Sequence, residues 1–427
     1  MKILVTCAVW GKTYCELFAN FSLPSLLAAE NIPRLAQGAT FTFHIVTTRR
    51  DRRRLEDAPA MAALRRYGEI DWEILENYGV AQPPVGTNSK KYSFISAMQN
   101  LAIERAHDHD VIVFNYADFM WTNSSLRHAI ELLDQGGDRK NAVLSFCMPV
   151  DRDAGMAALE RYRAPSDSAV VDFTPRDGAR IAVEHMHREA RRRFWDDAPN
   201  FTNFPSYVMW TVGDDGIVVR AYHQTVLALR IEPDDPRSCR RIVCGSLDAN
   251  FTAQMAATAS FAFATNSDEV MVFSLFDTPL DSRLPSGMTR EVALRNILVG
   301  MVTPEQRHFA EHAIRLKLRD GGEAAWQRVI DASWDILQPL HAATRFDQAA
   351  YEESRRTLGV IPILRRRPVL NRIRLPVSRI LSWLDFRSRL KPSFVVHPLL
   401  QRIFDIIEQP SLLLRSSRLR RLARTRK

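Results

Sequence analysis

Several common features are missing from this 427-residue chain, and each absence narrows what it does. No apolar run approaches the ~18–20 residues that span a bilayer, so no transmembrane helix is expected. The opening stretch, MKILVTCAVWGKTYC, has too short an apolar part for a secretory signal and lacks a small-residue cleavage site. It reads as a first core strand. Cysteine is sparse: Cys7, Cys15, Cys147, Cys239 and Cys244 are scattered and odd in number. That argues against a disulfide framework and for a reducing, cytoplasmic setting. Cys239 and Cys244 have no second pair and no histidine cluster near them, which disfavours zinc. There is no G-x-G-x-x-G and no Walker A sequence, so neither the dinucleotide fingerprint nor the P-loop applies. Acidic residues are scarce in one region only. Residues 360–427 hold 17 Lys and Arg against 3 Asp and Glu, net +14, so of the chain's +9 the other residues contribute −5.

What is present describes a globular chain with a sizeable core, 46% hydrophobic and 25% charged. Lys2–Thr6, Thr40–Thr47 and Ile70–Leu75 read as strands, separated by helical patterns over Tyr14–Glu30 and Asp57–Tyr67. A loop, Pro83–Ser89, precedes a helix over Lys90–Ala106. Next comes VIVFNYADFMW, Val111–Trp121, in which a fully apolar, β-branched run breaks into Asn115, Tyr116, Ala117 and Asp118. A capped helix follows it. Strands alternating with helices predict a mainly parallel α/β sheet flanked by helices. Further strands are expected at Ala142–Met148, Tyr207–Trp210, Val226–Glu232 and Glu269–Ser274. From about Thr289 the pattern turns helical: Arg290–Met301, Pro304–Arg319, Gly322–Leu337 and Gln348–Leu358.

Ligands of open α/β sheets sit beyond the carboxyl ends of the strands. Three stretches fall there. Asp118 ends the central strand, where a carboxylate can hold a hard metal ion or a sugar hydroxyl. Thr6, Ala8, Val9 and Trp10 follow the first strand, with Thr47 at the end of the second. They suit a nucleobase slot, although Val9 and Trp10 read equally well as core. Lys90, Lys91 and Tyr92 occupy the first turn of their helix, where positive charge opposes the helix dipole and is better tolerated beside an anion. Asp214 and Asp215 lie in a Gly-Asp-Asp-Gly turn, where hairpin chemistry alone explains them. Asp248 stands before a helix and is an equally good cap.

The order KILVT, HIVTT, SKKYSFISAMQNLAIERA, VIVFNYADFMW, TNSSLRHAIELL resembles the GT-A-type glycosyltransferases of bacteria, the nucleotide-diphospho-sugar transferases. The resemblance covers roughly residues 1–280. It implies a GT-A-like, Rossmann-like mixed sheet and transfer of a sugar from a nucleotide-sugar donor to a hydroxyl acceptor, in cell-surface glycan or lipid-linked saccharide synthesis. It also implies an acidic strand-end turn whose carboxylates hold Mn²⁺ or Mg²⁺ against the donor diphosphate. Asp118 matches that turn; Asn115 or Tyr116 stands where a second acid is expected. RAYHQT and GSLDANF extend the likeness: His223 as a metal or phosphate ligand, and Asp248 or Asp215 as the general base. The resemblance thus places Asp118, Asn115 and His223 at the metal, and Thr6, Ala8, Val9, Trp10, Thr47, Lys90 and Tyr92 at the nucleotide. Its weak point is the single carboxylate, which leaves a non-catalytic sugar-nucleotide-binding or scaffold protein as the rival.

The expected organisation is a catalytic domain over 1–285, a helical extension over 286–359 and a basic amphipathic tail over 360–427. The tail alternates leucine and isoleucine with arginine. It suits helices on an anionic membrane surface, a packed cap with a basic end, or, less well for want of aromatics, nucleic acid. A cytoplasmic protein, peripheral at the inner membrane, is the corresponding location.

Overall fold

The structure is a computed structural model that describes residues 1–84, 89–137, 139–165, 167–196, 201–232, 247, 251–252, 255, 259–277, 288–358 and 364. By internal contacts the chain divides into two units, Met1–Arg365 and Arg366–Lys427, and the described residues all belong to the first. The basic tail beyond Arg365, and with it the membrane-surface reading, lies outside them. Among the described residues, no helix is long and apolar enough to cross a membrane.

The chain supplies strands β1 (Lys2–Ala8), β2 (Thr40–Thr47), β3 (Gly68–Ile74), β4 (Val111–Tyr116) and β5 (Phe119–Trp121). Next come β6 (Ala142–Ser145), β7 (Met148–Asp151), β8 (Arg163–Ala164), β9 (Asp167–Val171) and β10 (Tyr207–Thr211). The last are β11 (Gly216–Ala221), β12 (Thr225–Arg230), β13 (Phe261–Phe263), β14 (Val272–Phe276) and β15 (Ile314–Lys317). Seven of them form the main sheet in the order β13, β6, β12, β4, β1, β2, β3. All its pairings are parallel except those of β12, which runs antiparallel to both β4 and β6. This is the expected mixed α/β sheet with flanking helices. Its central strands are covered on both faces, which is why β1 and β4 carry the apolar runs Ile3–Val5 and Val111–Phe114. The chain passes from β1 outward through β2 and β3, then returns to place β4 on β1's other side. A topological switch point, the usual crevice for ligands, therefore falls between β1 and β4.

Three local expectations change. The helix expected over Tyr14–Glu30 is broken: Lys12–Leu17 is α-helical, Phe18–Ser22 is a π turn, and Leu23–Leu26 resumes the α form. The helix expected over Pro304–Arg319 stops at Glu311, and Ile314–Lys317 becomes a strand on β11. Its sequence, IRLK, has the period of two that a strand needs: Ile314 and Leu316 are buried, Arg315 and Lys317 half-buried. Between the expected strands Ala142–Met148 and Tyr207–Trp210, where no strand is expected, β8 and β9 form a short antiparallel ribbon.

β10, β11 and β15 form a second, antiparallel sheet that carries the later helices. Arg220 on β11 is 2% exposed. Its guanidinium donates to Ser333 Oγ at 3.0 Å, Ile330 O at 2.9 Å, Ala310 O at 3.4 Å and Glu311 O. It also lies 5.3 Å from the Trp334 ring centroid. No carboxylate is among these partners, and burial pulls the guanidinium down to about 10.

Near it, Tyr222 Oη and His341 Nε2 lie 2.8 Å apart. Burial, then the Arg307 and Arg220 charges, hold His341 down at about 4. In the unfolded chain a histidine titrates near ~6.5. The folded state therefore binds fewer protons, and its advantage, complete above pH 6.5, is lost as pH falls towards 4. From pH 7 to pH 5 this one residue should cost about 2 kcal/mol of stability. Urea titrations of wild type and His341→Gln at the two pH values check this. The variant should show the shallower pH dependence, and equal slopes would refute the assignment.

Candidate functional site

The carboxyl end of β4 is built from inside the protein. Asn115 is buried; its amide nitrogen donates to Ser22 Oγ at 3.1 Å, and its oxygen accepts from Trp121 Nε1 at 2.9 Å. Ser22 Oγ in turn donates to Tyr116 O at 3.1 Å. Ser25 Oγ donates to Ser22 O at 2.7 Å and accepts from the Trp121 amide at 3.0 Å. The π turn at Phe18–Ser22 thus carries a serine against the strand end, and together these groups fix the turn through Ala117 and Asp118. On its far side, Asp118 O accepts from Leu275 N at 2.9 Å, and β5 pairs with β14.

Asp118 is half-buried. Loss of hydration pushes its carboxyl up to about 6, and the Lys91 ammonium offsets part of that rise. Lys91 sits in the first turn of the helix Ser89–Arg105. Its Nζ donates to Tyr14 Oη at 2.9 Å and lies 4.4 Å from the centroid of the Tyr14 ring. Tyr14 belongs to the helix Lys12–Leu17, which leaves β1 through Gly11 at φ +80°, a backbone conformation that favours glycine. Asp51 Oδ2 accepts from the Gly11 amide at 2.9 Å and holds that exit. Three elements distant in sequence therefore bring a carboxyl, an ammonium and a phenol to the β1–β4 switch point. Gln99 completes the wall by donating to Tyr116 Oη at 2.8 Å.

The other expected site residues separate into groups. Ala8 is half-buried and pairs in register with Tyr116, so it borders the crevice. Thr6 lies inside, its Oγ1 3.2 Å from His44 Nδ1. Thr47 is also buried, and its hydroxyl has no hydrogen-bond partner among the described residues. Val9 and Trp10 are core: Val9 is fully buried, while Trp10 packs edge-on to Phe94 and donates to Pro84 O at 3.1 Å. Tyr92 is exposed. The Lys90 side chain and Asp248 lie outside the described residues.

Asp215 and His223 do not share a centre. Asp215 precedes β11 and His223 follows it, and a six-residue strand is about 20 Å long. Asp215 sits in the β10–β11 turn, where its carbonyl accepts from Leu318 N at 2.8 Å, so hairpin and docking geometry account for it. His223 leads into β12, whose antiparallel register on β4 carries its start to the sheet edge where Asp118 lies. That leaves His223 as the later residue on the Asp118 edge and removes Asp215 from it.

Among the described residues, the donor set does not suit the divalent metal that the resemblance implies. Hard cations need several oxygen ligands. Among the described residues, no group of three His, Cys, Asp or Glu side chains is placed to hold a metal. The Asn115 amide is engaged inside the core, contrary to its expected role as a ligand. The nearby Lys91 charge also opposes a cation beside Asp118. Tyr14, Ser22 and Ser25 were not signalled as site residues by sequence, since their partners lie 77 to 96 residues away.

No protein-family model matches the chain, and no curated protein sequence does. Among solved structures, it is similar to TarS of S. aureus at 16% identity, over 35% of this chain and 22% of that one, with a TM-score of 0.23. It is similar to the apo form of mouse xyloside xylosyltransferase 1 at 14% identity, over 39% of this chain and 61% of that one, with a TM-score of 0.24. It is also similar to the WbbM bifunctional glycosyltransferase at 12% identity, over 38% of this chain and 25% of that one, with a TM-score of 0.22. The match spans less than two thirds of each of these structures, and two of the three are glycosyltransferases by name.

Proposed function

We propose that this chain transfers a sugar from a nucleotide-sugar donor to a hydroxyl acceptor. One observation carries the reading: a half-buried carboxyl, Asp118, within electrostatic reach of the Lys91 ammonium at the switch point of an α/β sheet. Strand-end crevices of this kind bind nucleotides, and a carboxyl with an ammonium suits a ligand that combines hydroxyls with anionic phosphates. In this reading Asp118 accepts a hydrogen bond from a donor-sugar hydroxyl, and the Ala8 end of β1 borders the nucleoside. The acceptor oxygen bonds to the anomeric carbon as the bond to the diphosphate oxygen breaks. The acceptor proton passes to a base, for which Asp248 is the sequence's candidate. Alignment of donor and acceptor, with stabilisation of the departing diphosphate, would supply most of the rate.

The rival is a binding or scaffold protein that keeps the sheet without the chemistry. Calorimetry with UDP-, GDP- and CMP-sugars, with and without Mn²⁺, followed by assays of donor hydrolysis, separates the two. Binding with measurable hydrolysis is expected for at least one donor. Binding with no turnover under any acceptor supports the rival, and no binding at millimolar donor ends the transferase reading.

A further inference from the structure

We infer that Lys91, held by Tyr14, is the cation that meets the donor diphosphate in this protein, in the place where the GT-A resemblance implies a divalent metal. The inference rests on the transferase reading and adds the chemistry by which the donor is held. Its first support is position. Lys91 stands in the opening turn of the helix between β3 and β4, close enough for its charge to act on Asp118 at the end of β4. Its second support is how the ammonium is held. Tyr14 binds it in two ways, by a 2.9 Å hydrogen bond from Nζ to the phenol oxygen and by a 4.4 Å approach to the ring face. Tyr14 is itself fixed by the Gly11 turn and the Asp51 bond to the Gly11 amide. A lysine held in this way is a pre-positioned point charge.

The third support is competition. A metal beside Asp118 would have to displace or tolerate the Lys91 charge, with Asn115 already bonded to Ser22 and Trp121. A diphosphate needs positive charge at that edge, and Lys91 provides it on an element that the fold already holds in place. Charge-assisted hydrogen bonds from an ammonium to phosphate oxygens are among the stronger polar contacts available.

Titration calorimetry of the full chain with UDP-glucose and with GDP-mannose, each in EDTA and in Mn²⁺, tests this. Binding should be the same within about twofold in the two conditions, and Lys91→Met should weaken it by about tenfold or more in both. Lys91→Arg, which keeps the charge, should retain most of the affinity, and Tyr14→Phe should cost a smaller factor. Lys91→Met should also flatten the dependence of binding on salt, a readout that a purely structural lysine would not move. If Lys91→Met does not fold, Tyr14→Phe decides: unchanged affinity in that variant overturns the inference. Binding that requires Mn²⁺ overturns it while leaving the transferase reading intact. Failure of both probes in both conditions overturns the two together.

Discussion

Replacing Arg220 with alanine is expected to remove about 3–5 kcal/mol of stability, a large share of what a domain has. The guanidinium is buried under the helices Pro304–Glu311 and Glu323–Ala343, and its acceptors come from both. Ala310 O and Glu311 O belong to the last turn of the first, where carbonyls have no partner within the helix. Ile330 O and Ser333 Oγ belong to the middle of the second. Truncation leaves these acceptors buried with fewer donors and removes the Trp334 contact. A lysine cannot reach four acceptors from one planar fork, so Arg220→Lys should recover less than half of the loss. Urea denaturation measures both variants. A loss below about 1 kcal/mol for alanine would show that water replaces the guanidinium and that the account of Arg220 as the joint is wrong.

Asp118→Asn is expected to lower sugar transfer by about 100-fold or more while making the protein more stable. The two effects share a cause. In the folded chain burial holds the Asp118 carboxyl at about 6. An unfolded aspartate titrates near ~3.9, so the ionised side chain penalises folding at neutral pH. That penalty is absent below pH 4, grows as pH rises through 6, and is complete above it. The asparagine has no charge to desolvate. It should gain about 1–2 kcal/mol at pH 7.5 and nothing at pH 4. The functional loss follows because a neutral amide neither balances the Lys91 charge nor makes a charge-assisted bond to a sugar hydroxyl. Paired measurements of kcat/KM and urea midpoint at the two pH values check both arms. Unchanged transfer would remove Asp118 from the site. A variant less stable at pH 7.5 would show that the carboxylate is satisfied in the fold, contrary to its raised titration.

The elements legible in sequence are those whose environment is uniform. β1 and β4 are buried on both faces, so each carries an apolar run, Ile3–Val5 and Val111–Phe114, and the strands show without further information. The position of Asp118 was legible for the same reason, as the place where such a run must end. The break at Phe18–Ser22 was not legible. Its residues keep helical apolar spacing, and what it achieves is contact between Ser22 and Tyr116, 94 residues on. β15 was missed because a four-residue strand carries little periodic signal, and its pairing with β11 makes it a strand. For Val9 and Trp10, local chemistry left core and ligand slot equal; the packing of Trp10 on Phe94 resolved it towards core.

By itself, then, the sequence determined the α/β class, the strand that carries Asp118 and the contrast between an acidic body and a basic tail, because hydrophobic period and charge are local properties that survive in one dimension. Tertiary structure alone decided which groups meet at the switch point. It joined Lys91 to Tyr14 within electrostatic reach of Asp118, set Asn115 inside the core, and parted Asp215 from His223 by the length of β11. The decisive contacts join residues far apart in the chain, Lys91 with Tyr14 at 77 positions and Asn115 with Ser22 at 93, and local sequence pattern does not reach that far.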